Sequence, residues 1–508
     1  MKKNPIIALT LVMLLLAACM SGCGSAAHGV PAQEHGLQAP MEAEPDWNTE
    51  EYEYLPENSF QSVAANPFAT FAADVDTASY SNFRRQVRNH QSVQPDSVRI
   101  EEFINYFRYD YPEPQDGDPF AVSLEVAPCP WNAQTQLLSV GLQAKKLDAS
   151  ELPRSNLVFL IDVSGSMDSA NKLPLVQRSF LTLAEALGED DVLSVVTYSS
   201  GEQIVLEGVS GGERQKIAAA IEGLRASGST RGDRAIEIAY ELAQRFYIEG
   251  GINRVIMATD GDFNVGVTSE GELTRLVQDK ARNGVFLSVL GFGMGNYKDS
   301  KLESMADNGN GNYAYIDSVD EARRVLVNEA GGTLFTVAKD VKLQVEFNPA
   351  AIKGYRLIGY ENRVMSATDF ADDTKDGGEI GAGHQVTALF EIVPVDSDFE
   401  IPAVDSKYGK NEKEGAEFSD ELCTLNIRFK EPEGSESVLK SYPVTKDAIR
   451  ESMSDNLRWA AGVAETAMLL RDSAYKGSSS YDEVRALLEP LASDDFRAEF
   501  LELISEFK

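Results

Sequence analysis

The 508 residues include 80 acidic and 46 basic side chains, giving a formal charge of −34, with 43% hydrophobic and 25% charged residues. A chain of this length outgrows one core and divides into two to four domains, and its composition is that of a protein most of which folds. The acidic surface, without a basic stripe, argues against nucleic acid as a partner; four cysteines and four histidines, with no CxxC pair or Cys/His cluster, argue against a zinc centre.

Lys2-Lys3 precede an apolar run over residues 5–18, the length of a secretory signal core and short for a membrane-spanning helix. Leu16-Ala17-Ala18-Cys19 follows at its end and resembles the bacterial lipobox, in which signal peptidase II cuts before a cysteine that carries lipid; Ser21-Gly22-Cys23 is a weaker copy. The resemblance implies a signal peptide over 1–18 and lipidation at Cys19, with Cys23 as the alternative. Residues 19–62 are rich in Ala, Pro, Glu and Gly without apolar periodicity, which predicts a disordered tether.

From residue 63 the patterning becomes that of a folded chain. Residues 63–153 carry two predicted helices, 77–90 and 98–107, with Ser97 expected to cap the second. Strands at 120–126 and 136–142 follow as an antiparallel pair. Residues 154–333 then alternate apolar strands (157–161, 192–198, 254–259, 286–291, 313–316) with amphipathic stretches (173–187, 213–224, 234–246, 270–283, 319–329). That alternation predicts an α/β fold, a mostly parallel sheet covered on both faces. Residues 334–444 revert to strands, at 341–347, 355–360, 385–393, 424–429 and 439–442, and 445–508 are helical. The α/β unit therefore sits between β-rich flanking segments, which are free to pair with each other in one sandwich.

The strand NLVFLID ends on Asp162, and Ser164 and Ser166 follow at alternate positions. In an open α/β sheet ligands sit beyond the carboxyl ends of the strands, and a loop can turn alternate side chains toward one point. One carboxylate and two hydroxyls are hard oxygen donors suited to Mg²⁺. Gly228-Ser229-Thr230 before a helix, and Thr259-Asp260-Gly261 after a strand, occupy comparable positions. Asp162-x-Ser164-x-Ser166, Thr230 and Asp260 together resemble the metal-ion-dependent adhesion site of von Willebrand factor type A domains, over residues 154–333. The resemblance implies a doubly wound sheet and a metal held by these five residues, Asp260 usually through water; Asp262 could support them from behind. The ion would be Mg²⁺, with Mn²⁺ or Ca²⁺ able to substitute. FAADVDTASYSNFRR at 71–85, RIEEFINYFRYDYP at 99–112 and APCPWN at 127–132 resemble the amino-terminal region of one family of bacterial type A lipoproteins. FNPAAIKGYRLIGYENR at 347–363 and LLRDSAY at 469–475 resemble that family's carboxyl-terminal domain.

Other signals are weaker. Arg231-Gly232-Asp233 is an RGD tripeptide of the kind chance supplies, and it directly follows Thr230. Asp74-Val75-Asp76-Thr77 shares the D-x-D of a phosphatase DxDxT motif but precedes a helix, where capping explains it better. His90 and His384 alone, outside the tether, could serve as a base, and the pairing of Cys129 and Cys423 stays open. Trp131 and Trp459 read as packing residues. The expected function is metal-dependent protein–protein binding at the bacterial cell envelope by an exported, lipid-anchored protein. A carboxylate from an envelope or extracellular protein, or from another copy of the chain, would complete the metal. A metal-dependent hydrolase, or a structural envelope protein with a vestigial site, is the alternative.

Overall fold

The computed structural model describes residues 50–507 except 116, 148–152, 231–233, 262–269, 296, 330–331, 333, 402–419, 433 and 435. Cys19, Cys23, the RGD tripeptide and Asp262 lie outside the described residues. The chain opens with β1 (Gln61–Ser62), β2 (Phe68–Ala72), α1 (Ala78–Arg88), α2 (Ile100–Asn105), β3 (Phe120–Pro128) and β4 (Gln136–Ala144). The α/β unit runs β5 (Ser155–Asp162), α3 (Leu173–Ala186), β6 (Val192–Tyr198), β7 (Glu202–Ser210), α4 (Arg214–Glu222), α5 (Ala235–Arg245) and β8 (Ile252–Thr259). It continues through α6 (Glu270–Arg282), β9 (Phe286–Phe292), α7 (Asp299–Asn308), β10 (Tyr313–Ile316) and α8 (Val319–Arg323), which widens into a π turn over Arg324–Asn328. Then come β11 (Thr336–Phe347), β12 (Ile352–Ile358), β13 (Val364–Met365), β14 (Gly378–Gly381), β15 (Gln385–Pro394), β16 (Glu421–Lys430) and β17 (Ser437–Thr445), and last α9 (Asp455–Leu470), α10 (Tyr481–Leu488) and α11 (Asp495–Ile504).

The α/β sheet has the order β10-β9-β8-β5-β6-β7. Every pair is parallel except the edge pair β6–β7. Its strands are apolar on both faces, as a sheet between helices requires: Leu157, Phe159 and Ile161 of β5 enter one core, Val158 and Leu160 the other.

The flanks form two antiparallel sheets, β1-β12-β15-β4-β3 and β13-β2-β11-β16-β17, with β14 also on β11. Strands from before the α/β unit pair directly with strands from after it: β2 with β11, β1 with β12, and β4 with β15. Alternation sets the layers. Leu138, Val140 and Leu142 of β4 and Ala388, Phe390 and Ile392 of β15 face Leu343, Val345 and Ile427 in the core between the sheets. Leu137 and Leu389 point the other way, onto Phe103, Phe107, Trp459 and Phe500 of the helices. Cys129 and Cys423 are free buried thiols in these two different cores, and burial pushes both up to about 12. Trp131 and Trp459 are buried. Among the described residues no helix is long and apolar enough to cross a membrane.

Several expectations need correction. Residues 50–62, assigned to the tether, are held on the fold: Glu50 pairs with Arg85 at 2.8 Å and accepts from Gly295 N at 2.9 Å, and β1 pairs with β12. These are contacts to distant segments, which a local composition rule cannot register. Ser97 does not cap α2. It lies in a 3₁₀ turn, Pro95–Ser97, its hydroxyl donates to Gln94 O (2.7 Å), and Arg99 holds the cap position. Thr77 stands at the cap of α1 but makes no capping bond. Its hydroxyl accepts from Arg324 (2.8 Å), while Glu102 accepts the Ser79 N–H (2.8 Å). Asp74 and Asp76 belong to an ion-pair cluster on Arg363, each at 3.4 Å.

Buried arginines join the α/β unit to its flanks. Arg84 of α1 reaches Asp317 (2.5 Å) and Glu321 (2.9 Å). Arg99 reaches Asp299 (3.0 Å) and Glu303, and Arg324 shares Glu321 (2.6 Å). Burial alone would raise the Glu321 carboxyl, but Arg324 and Arg84 outweigh it and hold the pKa at about 2. Breaking one partner of a buried pair strands the other charge. Glu321→Ala is therefore expected to cost about 3–5 kcal/mol in equilibrium denaturation; a loss below about 1 kcal/mol would refute the seam as a structural element. Because the folded pKa is depressed, this stability is complete above the ordinary value of 4.5 and is lost as pH falls toward 2. Acid titration of the wild type should show that loss, and E321A should lack it.

Candidate metal centre

β5 is flanked by β6 and β8, with Asp162 opposite Tyr198 and Ile161 opposite Ala258. Three neighbouring strands therefore end together, and the loops beyond them meet. The Val163 N–H donates to Tyr198 O (3.0 Å), Ser227 N–H to Val163 O (2.8 Å), and Gly165 N–H to Gly228 O (3.0 Å). Those bonds tie the loop after β5 to the loop before α5 and bring Thr230, two residues beyond Gly228, toward the same edge. Gly228 has φ +79°, and a Cβ there would come within 2.2 Å of Ser200 Oγ, so the junction requires glycine. Met167, fully buried in the core beneath, pins the 3₁₀ turn Gly165–Asp168.

The five expected residues grade from floor to rim. Asp162 and Asp260 are fully buried and Ser164 nearly so, Thr230 is half-buried and Ser166 exposed. Ser164 N–H donates to Asp162 Oδ1 (2.8 Å), and the Ser164 and Ser166 hydroxyls lie 3.0 Å apart. Asp162 Oδ2 is buried and receives no hydrogen bond of ordinary geometry. The Tyr198 hydroxyl beside it only moderates its proton affinity. Burial, with a smaller push from Asp260, raises the Asp162 carboxyl to about 7. A buried carboxylate oxygen without a donor is costly. It fits a hard cation, and the adjoining hydroxyls are ligands of the right kind.

Lys172, at the cap position of α3, was missed by sequence reading. Its Nζ pairs with Asp260 Oδ2 at 2.9 Å, with both side chains buried, and its stem crosses Gly293, where a Cβ would come within 2.4 Å of it. The metal edge thus has one carboxylate balanced by an internal cation and one that is not. Nothing in the local pattern NKLPLV marks this lysine; the pairing exists only once β8 and α3 pack. The two candidate bases stand on other elements. His90 is exposed just past α1, and His384, before β15, is lowered to about 4 by burial.

Family models match three stretches of the chain: "von Willebrand factor" over residues 46–139, "von Willebrand factor type A domain" over 156–327, and "Uncharacterized protein YfbK, C-terminal" over 332–508. The uncharacterized protein YfbK of Escherichia coli (strain K12) is 42% identical over 470 residues, covering 90% of this chain and 80% of that protein. Uncharacterized protein sll0103 of Synechocystis is 30% identical over 185 residues, covering 36% of this chain and 43% of that protein. A solved von Willebrand factor type A structure from Catenulispora acidiphila matches 78% of this chain and 91% of its own, at 15% identity and a TM-score of 0.43. Type A domains commonly bind a divalent metal at this motif and typically mediate protein–protein interaction. With a relative of this identity along nearly its whole length, the chain belongs to the YfbK family of von Willebrand factor type A domain proteins.

Proposed function

We propose that this chain is an exported, lipid-anchored protein of the bacterial cell envelope that binds another protein through a Mg²⁺ ion. Asp162, Ser164, Ser166 and Thr230 would hold the ion, with Asp260 supporting it, and an Asp or Glu of the partner would complete it. The observation that carries this reading is the buried Oδ2 of Asp162, which receives no hydrogen bond of ordinary geometry, beside two hydroxyls at a strand end. A single unpaired carboxylate leaves the ion electrophilic, which favours capture of an external carboxylate. Lipidation at Cys19, or Cys23, would place the folded part at a membrane surface. Binding is favoured over turnover because neither candidate base lies on the described residues of these loops: His90 is exposed past α1 and His384 is buried before β15. Ester or phosphate hydrolysis that Asp162→Ala abolishes would replace this reading with a hydrolase, and partner capture that survives chelation would replace it with a structural role.

Calorimetric titration of Mg²⁺ or Mn²⁺ into the chelated full-length chain should give saturable one-site binding that Asp162→Ala abolishes; no binding by the folded wild type refutes the reading. The Asp162 carboxyl at about 7 keeps its proton in the metal-free fold at lower pH. Its folded-state pKa is raised, so it favours the metal-free fold most at low pH and loses that contribution as pH rises toward 7. Metal binding must expel the proton. Affinity should therefore fall about tenfold for each pH unit below 7, and a flat profile between pH 5 and 7 would show that this carboxylate is not a ligand. Lys172→Met frees Asp260 from its internal cation, and Mg²⁺ affinity is expected to rise about tenfold, near 1.4 kcal/mol; unchanged affinity would mean that the pair does not compete with the metal.

A further inference from the structure

Six arginines are buried among the described residues: Arg84, Arg85, Arg99, Arg254, Arg324 and Arg356. Five pair with carboxylates. Arg254 is the exception. It is 1% exposed, near the amino end of β8, at the opposite edge of the parallel sheet from Asp162. Its Nη1 donates to Ser288 Oγ (2.6 Å) and its guanidinium lies 5.5 Å from the Phe286 ring centroid. Nε is buried without an acceptor, and no carboxylate among the described residues lies within ion-pairing distance. Burial lowers it to about 10, so it stays charged at neutral pH.

Arg254 lines a cavity of about 860 Å³ between the α/β unit and the antiparallel sheets. Lys339 and Lys375 line it too, and neither joins an ion pair among the described residues. The acids of the wall are engaged: Asp340 pairs with Lys430 (2.5 Å) and hydrogen-bonds Asp376, and Asp373 pairs with Arg428 (2.9 Å). Glu379, the carboxyl that acts on Arg254, accepts from Asn310 (3.0 Å). Burial first, then Asp340 and Asp376, push its proton affinity up, and it stands beyond ion-pairing distance of the guanidinium, which it influences only from afar.

An unpaired buried charge costs several kcal/mol, and this fold avoids that cost at every other buried arginine. The size matches a small-molecule site, and the planar guanidinium suits an oxyanion, which it can engage through two N–H groups. We propose that the cavity binds a small polar molecule through a phosphate or carboxylate group, with Arg254 as its buried donor and Lys339 and Lys375 as supporting cations. The inference is independent of the metal edge.

The test titrates sodium phosphate, and separately sodium citrate, into the chelated full-length chain, with sodium chloride at matched ionic strength as control. Saturable one-site binding of at least one oxyanion is expected, weakened about tenfold or more in Arg254→Met and several-fold in Lys339→Ala, and unchanged in Asp162→Ala. Binding of phosphate alone assigns a phosphate group, and binding of citrate alone a carboxylate. No binding of either, heats that chloride reproduces, or equal affinity in R254M overturns the proposal. R254M removes an unpaired charge, so its ligand-free melting temperature should not fall, while the oxyanion-induced rise seen in the wild type disappears. Should R254M not fold, K339A, on a half-exposed side chain, decides alone: undiminished affinity there overturns the proposal.

Discussion

The constraint on which the molecule depends is strand pairing across the inserted α/β unit. Thr70 of β2 lies opposite Gln344 of β11, and Val140 of β4 opposite Ala388 of β15. Neither antiparallel sheet is complete until chain from both sides of the insertion has arrived. The pairing also fixes where the α/β unit starts and stops: β4 ends at Ala144, β5 begins at Ser155, and β11 begins at Thr336. Such pairings carry a large loop-closure cost, recovered here by the apolar core between the sheets and by the helices on the outer face. Both ends of the type A unit are thereby anchored in one sandwich, so its carboxyl edge is presented from a fixed base.

Charge does a second job inside that frame. The chain carries 46 basic residues against 80 acidic ones, and three of the six buried guanidiniums among the described residues, those of Arg84, Arg99 and Arg324, are spent at the seam between the α/β unit and its flanks. A seam of mutually satisfied ion pairs specifies one orientation more than it adds stability, since desolvation offsets much of the attraction. Against that background the two ends of β8 stand out. At one end Asp260 already owns a cation, Lys172. At the other, Arg254 pairs with no carboxylate among the described residues, and its Nε has no acceptor.

Legibility in the sequence followed the range of the interaction. The central strands of the parallel sheet could be read within a residue or two because each is an uninterrupted apolar run whose burial on both faces is written locally, as in Leu157–Ile161. The loop residues Asp162, Ser164 and Ser166 were visible because alternate oxygens directly after such a run are unusual. β7 went unread: it is an edge strand whose residues are mostly half-buried or exposed, so no apolar period announces it. β1 is two residues long and exists through its pairing with β12. Capping was misread at Ser97 and Thr77 for different reasons: the Ser97 hydroxyl is spent within its own 3₁₀ turn, on Gln94 O, and the Thr77 hydroxyl is claimed by Arg324 from another part of the chain. Glu102 takes over part of that task from 23 residues away, and Lys172 meets Asp260 across 88. No window of sequence contains either pair.

The electrostatics of the metal edge also bear on what it can be for. Burial, with a smaller push from Asp260, raises the proton affinity of Asp162, and Lys172 cancels only the charge of Asp260. A cation entering beside Asp162 therefore meets one uncompensated carboxylate and neutral hydroxyls, too little negative charge to saturate a divalent ion. Such an ion would retain affinity for one more anionic oxygen, which in the proposed reading a partner supplies. The internal lysine thus makes the edge a poorer metal trap and a better receptor for a carboxylate. The same residual charge would orient a bound carboxylate.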